Sequence, residues 1–600
     1  MLEVVTLGAR LDDRGVHFAV WSDKAKRVSV VLRAGPDETA HEIALERDPE
    51  TDIFQGFVAE LRAGALYDFR LDGVIAVDPY ARALPFGVRG PARVEAPLGP
   101  RAFPGRHVEL DGSDVFYEIH VGTFTPEGTF ESAATRLSEL RELGVTVVEL
   151  MPVAAFPGAR GWGYDGVGLF APFAAYGTPD QLRAFVETAH AEGLSVVLDV
   201  VYNHLGPDGN ALPAFSDAYF DASRKNPWGA APALEKPAFR RLILDNARHW
   251  LQGIGFDGLR LDATHELEPG GTPHILSELA ALARSCSPPA ALIAEDSRND
   301  PQALLAYGVD AVWSDDFHHA AHVLLTDEHE GYYQAFAGDL AELSRVIERG
   351  QAFEGQIVPG WNGPPRGRTT EGVPLGRFLF ALQNHDQVGN RACGERLHAL
   401  VALPTYRAAS LLLLFLPSTP LLFMGQEWAS STPFLYFSDH TGPLGDAVSR
   451  GRREEFGHFS AFRHEDPSTI PDPQALETFE RSKLNWSERA QPEHAQTLDL
   501  YRRALQLRRT DPVLREPSET RAGSIDGMLW VVRRGRQGKR LLLFNPGAAR
   551  TVSESAAKLW PGAHALFSTH PVSSELNAFE LPASSATIYS LAEEPKEPGS

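Results

Sequence analysis

Eight short apolar runs recur between Val115 and Met424, with segments of helical spacing between them, and this alternation limits the possible folds. The runs are Val115–His120, Val145–Leu150, Ser195–Val200, Gly258–Leu261, Ala291–Ala294, Ala311–Trp313, Arg377–Leu382 and Leu421–Met424. Val145–Leu150 is a continuous apolar strand, as a sheet covered on both faces requires. Phe130–Leu143 carries Leu137, Leu140 and Leu143 at helical spacing, and Gly144 is placed to end that helix. Pro179–Glu192, Phe239–Leu251 and Thr405–Phe415 read as further helices. Eight βα units in roughly 400 residues predict an α/β protein built on a (β/α)8 TIM barrel with long loop insertions. A doubly wound open sheet is the alternative, but no GxGxxG follows any of the strands.

Both ends of the chain follow a different grammar. Val16–Trp21, Val28–Leu32, Phe54–Glu60 and Tyr67–Leu71 alternate apolar and polar residues between Asp, Gly and Pro turns. They predict an N-terminal β-sandwich over 1–105, closing in the Pro/Gly-rich stretch Pro85–Pro104. Met528–Arg533, Arg540–Phe544, His564–Ser568 and Thr587–Leu591 predict a second all-β domain over 516–600, which leaves 106–515 for the barrel.

Charge and cysteine usage narrow the partners. Asp and Glu number 79 against 56 Lys and Arg, a net charge of −23. With no basic cluster, neither nucleic acid nor an anionic membrane is the expected partner. A neutral ligand such as a sugar meets no electrostatic penalty. Cys286 and Cys393 are too few for a disulfide framework or a thiolate metal site and read as free buried thiols in a reducing cytoplasm. Met1–Arg10 has no basic n-region or apolar h-region, so no secretion signal is expected. The apolar run around Leu411–Leu416 is broken by Pro417 and Pro420, far short of the ~20 residues of a membrane span.

In a TIM barrel the active site sits at the C-terminal ends of the strands, so the first polar residues after each run are the candidates. The third run leads into Asp199, Asn203 and His204 (VVLDVVYNHLG), and the fourth into Arg260, Asp262 and His265 (GFDGLRLDATH). Glu295 (ALIAEDS) follows in the fifth, Asp315, Asp316 and His318 (WSDDFHH) in the sixth, and His385, Asp386 and Gln387 (FALQNHDQVGN) in the seventh. One Asp ahead of a helix is commonly a cap. Several acids, each directly behind a buried strand, converge on one rim instead. Two carboxylates about 5–5.5 Å apart suit a retaining glycosidase. Metal catalysis is the rival reading, but no HxH or HExxH spacing occurs.

These segments resemble, in order and spacing, the four signature regions of the α-amylase family of glycoside hydrolases, over roughly Val115 to Asp511. The N-terminal module is similar to the one preceding the barrel in branching, debranching and trehalose-releasing members. QNHDQVGNR, LRLDATH, WSDDFHH and MGQEWASSTPFLYFSDH resemble the trehalose-releasing members more narrowly. The resemblance implies a hydrolase that cuts the α-1,4 bond next to the terminal trehalose of malto-oligosyltrehalose, with related α-glucans as neighbouring substrates. It implies Asp262 as nucleophile, Glu295 as general acid/base and Asp386 as a third carboxylate gripping sugar hydroxyls.

Physical reasoning assigns the supporting parts. Arg260, two residues before Asp262 on the same face, is a fixed cation that keeps a nucleophile ionised, and it is counted among the substrate-binding residues as well. Glu295 needs a proton at the start, hence burial and acidic neighbours. The resemblance further implies that His204, His265 and His385 donate to sugar hydroxyls, with Asn203 beside them, and that Tyr164 in GWGYDG stacks on a pyranose ring, with Trp162 next to it. Asp199 orients its neighbours. Asp316, His318 and Gln387 are candidates for the second glucose of trehalose, and Trp428–Phe437 for the aglycone side or the core.

The insertion Gly206–Lys236 carries only Asp208, Asp217, Asp221 and Glu235, so no metal or other cofactor is expected. Branching and debranching enzymes share the same trio and remain competing readings. A catalytically silent glucan-binding protein is the non-enzyme alternative, against which the intact trio argues. A cytoplasmic monomer or weak homodimer is expected.

Overall fold

The computed structural model describes residues 5–99, 105–361, 363–456, 469–516, 519–553, 558–571 and 580–591. Residues 100–104 of the predicted Pro85–Pro104 stretch lie outside the described residues. Eight parallel strands close into a barrel. In chain order they are β1 (Phe116–Ile119), β2 (Val147–Leu150), β3 (Ser195–Val200), β4 (Gly258–Leu261), β5 (Ala291–Glu295), β6 (Ala311–Trp313), β7 (Phe378–Ala381) and β8 (Thr419–Phe423). Each pairs with the next, and β1 pairs with β8. Their burial explains why the runs are mainly apolar: Val147, Val148 and Leu150 are all below 1% exposed, and each such side chain contributes about 1.5–3 kcal/mol on burial, whereas Glu149 interrupts the expected continuous run and is buried too.

The predicted helix Phe130–Leu143 is two helices, Phe130–Ala134 and Leu137–Leu143. Thr129 and Ser132 form a reciprocal capping box at its start. The break follows because Thr135 Oγ1 donates to the Ser132 carbonyl at 2.6 Å, turning the chain before Leu137. Gly144 ends the second helix in the left-handed region at φ 112°, the expected cap. The predicted Phe239–Leu251 helix runs over Pro237–Arg248 and widens into a π-helical turn, His249–Ile254.

Two antiparallel domains flank the barrel. At the N-terminal end one sheet orders Gly8–Leu11, Gly15–Trp21, Ile53–Ala59 and Glu46–Arg47. A second orders Glu38–Ala44, Val28–Gly35, Leu66–Leu71 and Val74–Ala76, with Ala92–Arg93 beside Leu66–Leu71. At the other end a sheet orders Glu519–Ile525, Met528–Gly535, Gly538–Asn545, Ser585–Leu591 and His564–Ser568. Cys286 and Cys393 form no disulfide and are half-buried rather than fully buried. Among the described residues no helix is long and apolar enough to cross a membrane.

Side chains two apart on a strand share a face, and this period builds the barrel interior in layers. Phe116, Val147, Val197, Ala291, Ala311, Leu379 and Leu421 form an apolar cluster. Two residues further along the strands stand Glu118, Glu149, Asp199 and Arg260, all buried, with Glu295 at the end of β5. Glu118 is directly opposite Glu149, and Asp199 opposite Arg260. The apolar layer therefore gives way to a layer of ionisable side chains directly beneath the C-terminal rim.

Candidate active site

Arg260 is the centre of that layer. Its guanidinium is fully buried, 4.3 Å over the Trp313 ring, and it ties three carboxylates together. Nη1 donates to Asp199 Oδ1 and Oδ2 at 2.9 and 2.8 Å and to Asp262 Oδ1 at 3.0 Å. Nη2 donates to Glu295 Oε2 at 2.7 Å. Arg260, expected from sequence also to contact substrate, is shut away from it by its burial and acts through the acids above. The burial of so many acids around one cation is stabilised because these contacts are charge-assisted hydrogen bonds.

Asp262 follows β4 and is held on its second oxygen by Asn203, whose Nδ2 donates to Oδ2 at 2.7 Å and to the Asp262 carbonyl at 2.8 Å. Glu295 Oε2 also accepts from the Ala263 N–H at 3.0 Å. Ala263 adopts a positive φ of 40°, a strained conformation for a residue with a Cβ, and its N–H is the one that reaches Glu295. Asp386 opens a short helix after β7, where Asn384 caps the start by accepting from the Gln387 N–H at 2.8 Å. Burial pushes the Asp386 carboxyl up, opposed by the neighbouring His385 and aided by Glu295.

The three acids open into one cleft of about 560 Å³, also lined by Trp162, Tyr164, Asn203, His204 and His385. That volume is within the ~300–1,000 Å³ of small-molecule sites. The Tyr164 hydroxyl donates to Asp199 Oδ2 at 2.6 Å and lies 2.7 Å from His385 Nε2. Trp162 donates from Nε1 to the Leu435 carbonyl at 3.0 Å and stacks on Phe434. His204 was expected to donate to a sugar. Its ring nitrogens instead meet Asn203 Oδ1 and the Tyr164 carbonyl, and Trp228 covers its ring at 3.6 Å between centroids. It braces Asn203.

Besides Arg260, Asp199 and Asp315, the sequence candidates His265, Asp316, His318 and Gln387 stand outside the cleft lining. His265 is half-buried with Nδ1 unpartnered among the described residues. Asp316 accepts from Arg366 Nη2 at 3.1 Å, from the Ala352 N–H at 2.7 Å and from Asn299. His318 is locked between the Leu382 carbonyl and the Tyr333 hydroxyl at 2.8 and 3.0 Å. The Gln387 side chain meets Tyr332 and Asp315 at 3.2 and 3.4 Å. Asp315, not Asp316, lies among the acids: burial, with Glu295 and Asp386 nearby, pushes it up to about 7. A helix begins at Asp315, and its ~100° per residue turns Asp316 away.

Sequence reasoning missed Trp228, which is 37% exposed in the cleft and donates to Asp165 Oδ1 at 3.2 Å. It sits in the turn of a hairpin, Phe220–Asn226 and Gly229–Pro232, whose polar sequence carries no apolar pattern. Of Trp428–Phe437, Trp428 is buried against Glu488, while Tyr436 and Phe437 reach the cleft. Among the described residues no group of three or more His, Cys, Asp or Glu side chains is arranged to hold a metal ion.

Comparison with known proteins fits this geometry. The profile described as the α-amylase catalytic domain matches residues 101–228. The profile of carbohydrate-binding module 48, the isoamylase N-terminal domain, matches residues 6–81. The chain is similar to the malto-oligosyltrehalose trehalohydrolase of Deinococcus radiodurans, 46% identical over 555 residues (90% of this chain, 89% of that one). The Mycobacterium tuberculosis protein of the same name is 36% identical over 604 residues (96% and 99%). A crystal structure from Salmonella typhimurium assigned as an α-amylase is 38% identical, with a TM-score of 0.86, covering 98% of this chain and 100% of that one.

Proposed function

From the premise that the chain belongs to the α-amylase family of glycoside hydrolases, and within it to the malto-oligosyltrehalose trehalohydrolases, we propose that its reaction is a double displacement run by Asp262, Glu295 and Asp386. The protein is a glycoside hydrolase that releases trehalose. The observation that carries the reading is that Asp262, Glu295 and Asp386 line one cleft, with Asp262 and Glu295 tied to the same Arg260.

Asp262 attacks the anomeric carbon next to the trehalose unit. Arg260 and Asn203, one on each carboxylate oxygen, fix the direction of attack. Glu295 gives a proton to the departing glycosidic oxygen. Its Oε2 is occupied by Arg260 and the Ala263 N–H, which leaves Oε1 for the transfer. Asp386 grips hydroxyls of the sugar at the cleavage point. Water, activated by the same Glu295, then resolves the glycosyl-enzyme with net retention. Malto-oligosyltrehalose is the substrate, and the enzyme acts in the cytoplasm as a monomer or weak homodimer.

Parallel incubation with malto-oligosyltrehalose, a linear maltodextrin of equal length and amylose tests the reading. Trehalose is expected from the first, with kcat/KM at least roughly a hundredfold above the linear chain, about 2.7 kcal/mol of transition-state discrimination. Comparable rates on both, or new α-1,6 branches in amylose, would overturn it.

A further inference from the structure

His385 is buried between two polar partners, and neither ring nitrogen is spare. On one side its backbone N–H donates to Glu118 Oε2 at 2.9 Å, and Nδ1 faces Glu118 Oε1. On the other, Nε2 faces the Tyr164 hydroxyl at 2.7 Å and lies 3.5 Å from Asp386 Oδ1. A tyrosine hydroxyl has one proton to give. Asp199 Oδ2, 2.6 Å away, takes it, and with burial pushing Asp199 up to about 7 that acceptor is a carboxylate above this pH. Nε2 therefore meets a lone pair and Nδ1 meets a carboxylate, so both nitrogens donate. A ring donating from both nitrogens is an imidazolium.

We propose that Glu118 is a positioning residue of this active site: it holds His385 as an imidazolium whose Nε2–H points at Tyr164 and Asp386, and so fixes the charge and orientation of the third carboxylate.

A purely structural role for Glu118, satisfying one backbone N–H, would not need a charge. An uncompensated buried carboxylate costs several kcal/mol, and Glu118 is fully buried. The groups around His385 divide by sign. Burial opposes its charge, and Arg260 repels it. The Glu118 and Asp386 carboxylates outweigh both and push His385 up to about 10. His120, pulled down to about 4 by burial, adds no positive charge at neutral pH. Glu149, opposite Glu118 on β2, has both carboxyl oxygens buried without a hydrogen-bond partner among the described residues. Burial first, and then Glu118 and Asp199, push it well above the usual range, so it stays neutral and does not compete for the imidazolium.

The test is Glu118→Gln in the full chain, with Glu118→Asp beside it. In the wild type, ring-nitrogen NMR on labelled histidine, assigned with His385→Gln, should show both His385 nitrogens protonated between pH 7.5 and 9. In Glu118→Gln, His385 should be neutral at pH 8.5, and kcat/KM should fall at least tenfold there, with the deficit narrowing at pH 6. Glu118→Asp should retain the imidazolium. A neutral His385 in the wild type, an imidazolium persisting in Glu118→Gln, or a deficit independent of pH would each overturn the proposal. If Glu118→Gln does not fold, the wild-type spectrum and Glu118→Asp decide it. The kinetic arm rests on Asp386 being the third carboxylate. The NMR arm does not, so failure of one is distinguishable from failure of the other.

Discussion

Asn203 grips Asp262 twice, through its carboxylate at 2.7 Å and its backbone carbonyl at 2.8 Å. One side-chain amide from the loop after β3 thus sets both the position of the strand end and the direction of the nucleophile. Asn203→Ala removes a hydrogen bond to a charged group, worth about 1.5–3 kcal/mol. The expected result is a kcat lower by roughly 10- to 150-fold, with KM changed much less, in steady-state kinetics on malto-oligosyltrehalose. A loss under twofold would mean that Arg260 alone orients Asp262.

Asp262→Asn and Glu295→Gln should separate by substrate. The first should abolish turnover of every substrate, because no other group forms the covalent intermediate. The second should spare an activated aryl glycoside, whose leaving group needs no proton, far more than the natural substrate. Equal losses on both substrates would place the acid elsewhere.

Stability should carry the signature of the Glu118–His385 pair. The His385 pKa is raised from 6.5 to about 10, burial being outweighed by Glu118 and Asp386. A raised basic group stabilises the fold fully below its unfolded pKa and loses that contribution as pH rises through the folded one. The Tm gap between wild type and a Glu118→Gln/His385→Gln double variant should therefore be largest near pH 6 and shrink toward pH 10. A gap constant across that range would contradict the charge assignment.

Prolonged exposure to EDTA should leave activity and Tm unchanged, since the expected fold needs no bound cation. A chelator-induced fall in Tm that Ca²⁺ restores would show a site the sequence did not reveal.

The barrel was legible because its strands are apolar on both faces, and the same two-residue period that buries Val147 and Val197 lifts Asp262 and Glu295 to the rim. Less legible were parts whose sequence carries no such period. Glu38–Ala44 pairs in a sheet although nearly all of it is exposed, so no alternation marks it. Trp228 reaches the cleft from a polar hairpin. Asp315 and Asp316 differ by one residue of helix, and the phase of that helix decides which one joins the acids. Glu118 and Glu149 did carry a signal: an acid inside a strand buried on both faces is too costly to be incidental.

Trapping the intermediate bears most directly on Asp262 as the nucleophile that releases trehalose. A fluorinated glycosyl donor with an activated leaving group, offered to Glu295→Gln, forms a glycosyl-enzyme but cannot readily resolve it. Intact mass should rise by one glycosyl unit, and peptide mapping should find that unit on Asp262. A label on another carboxylate, or no covalent species while the leaving group is released in a burst, would contradict the mechanism.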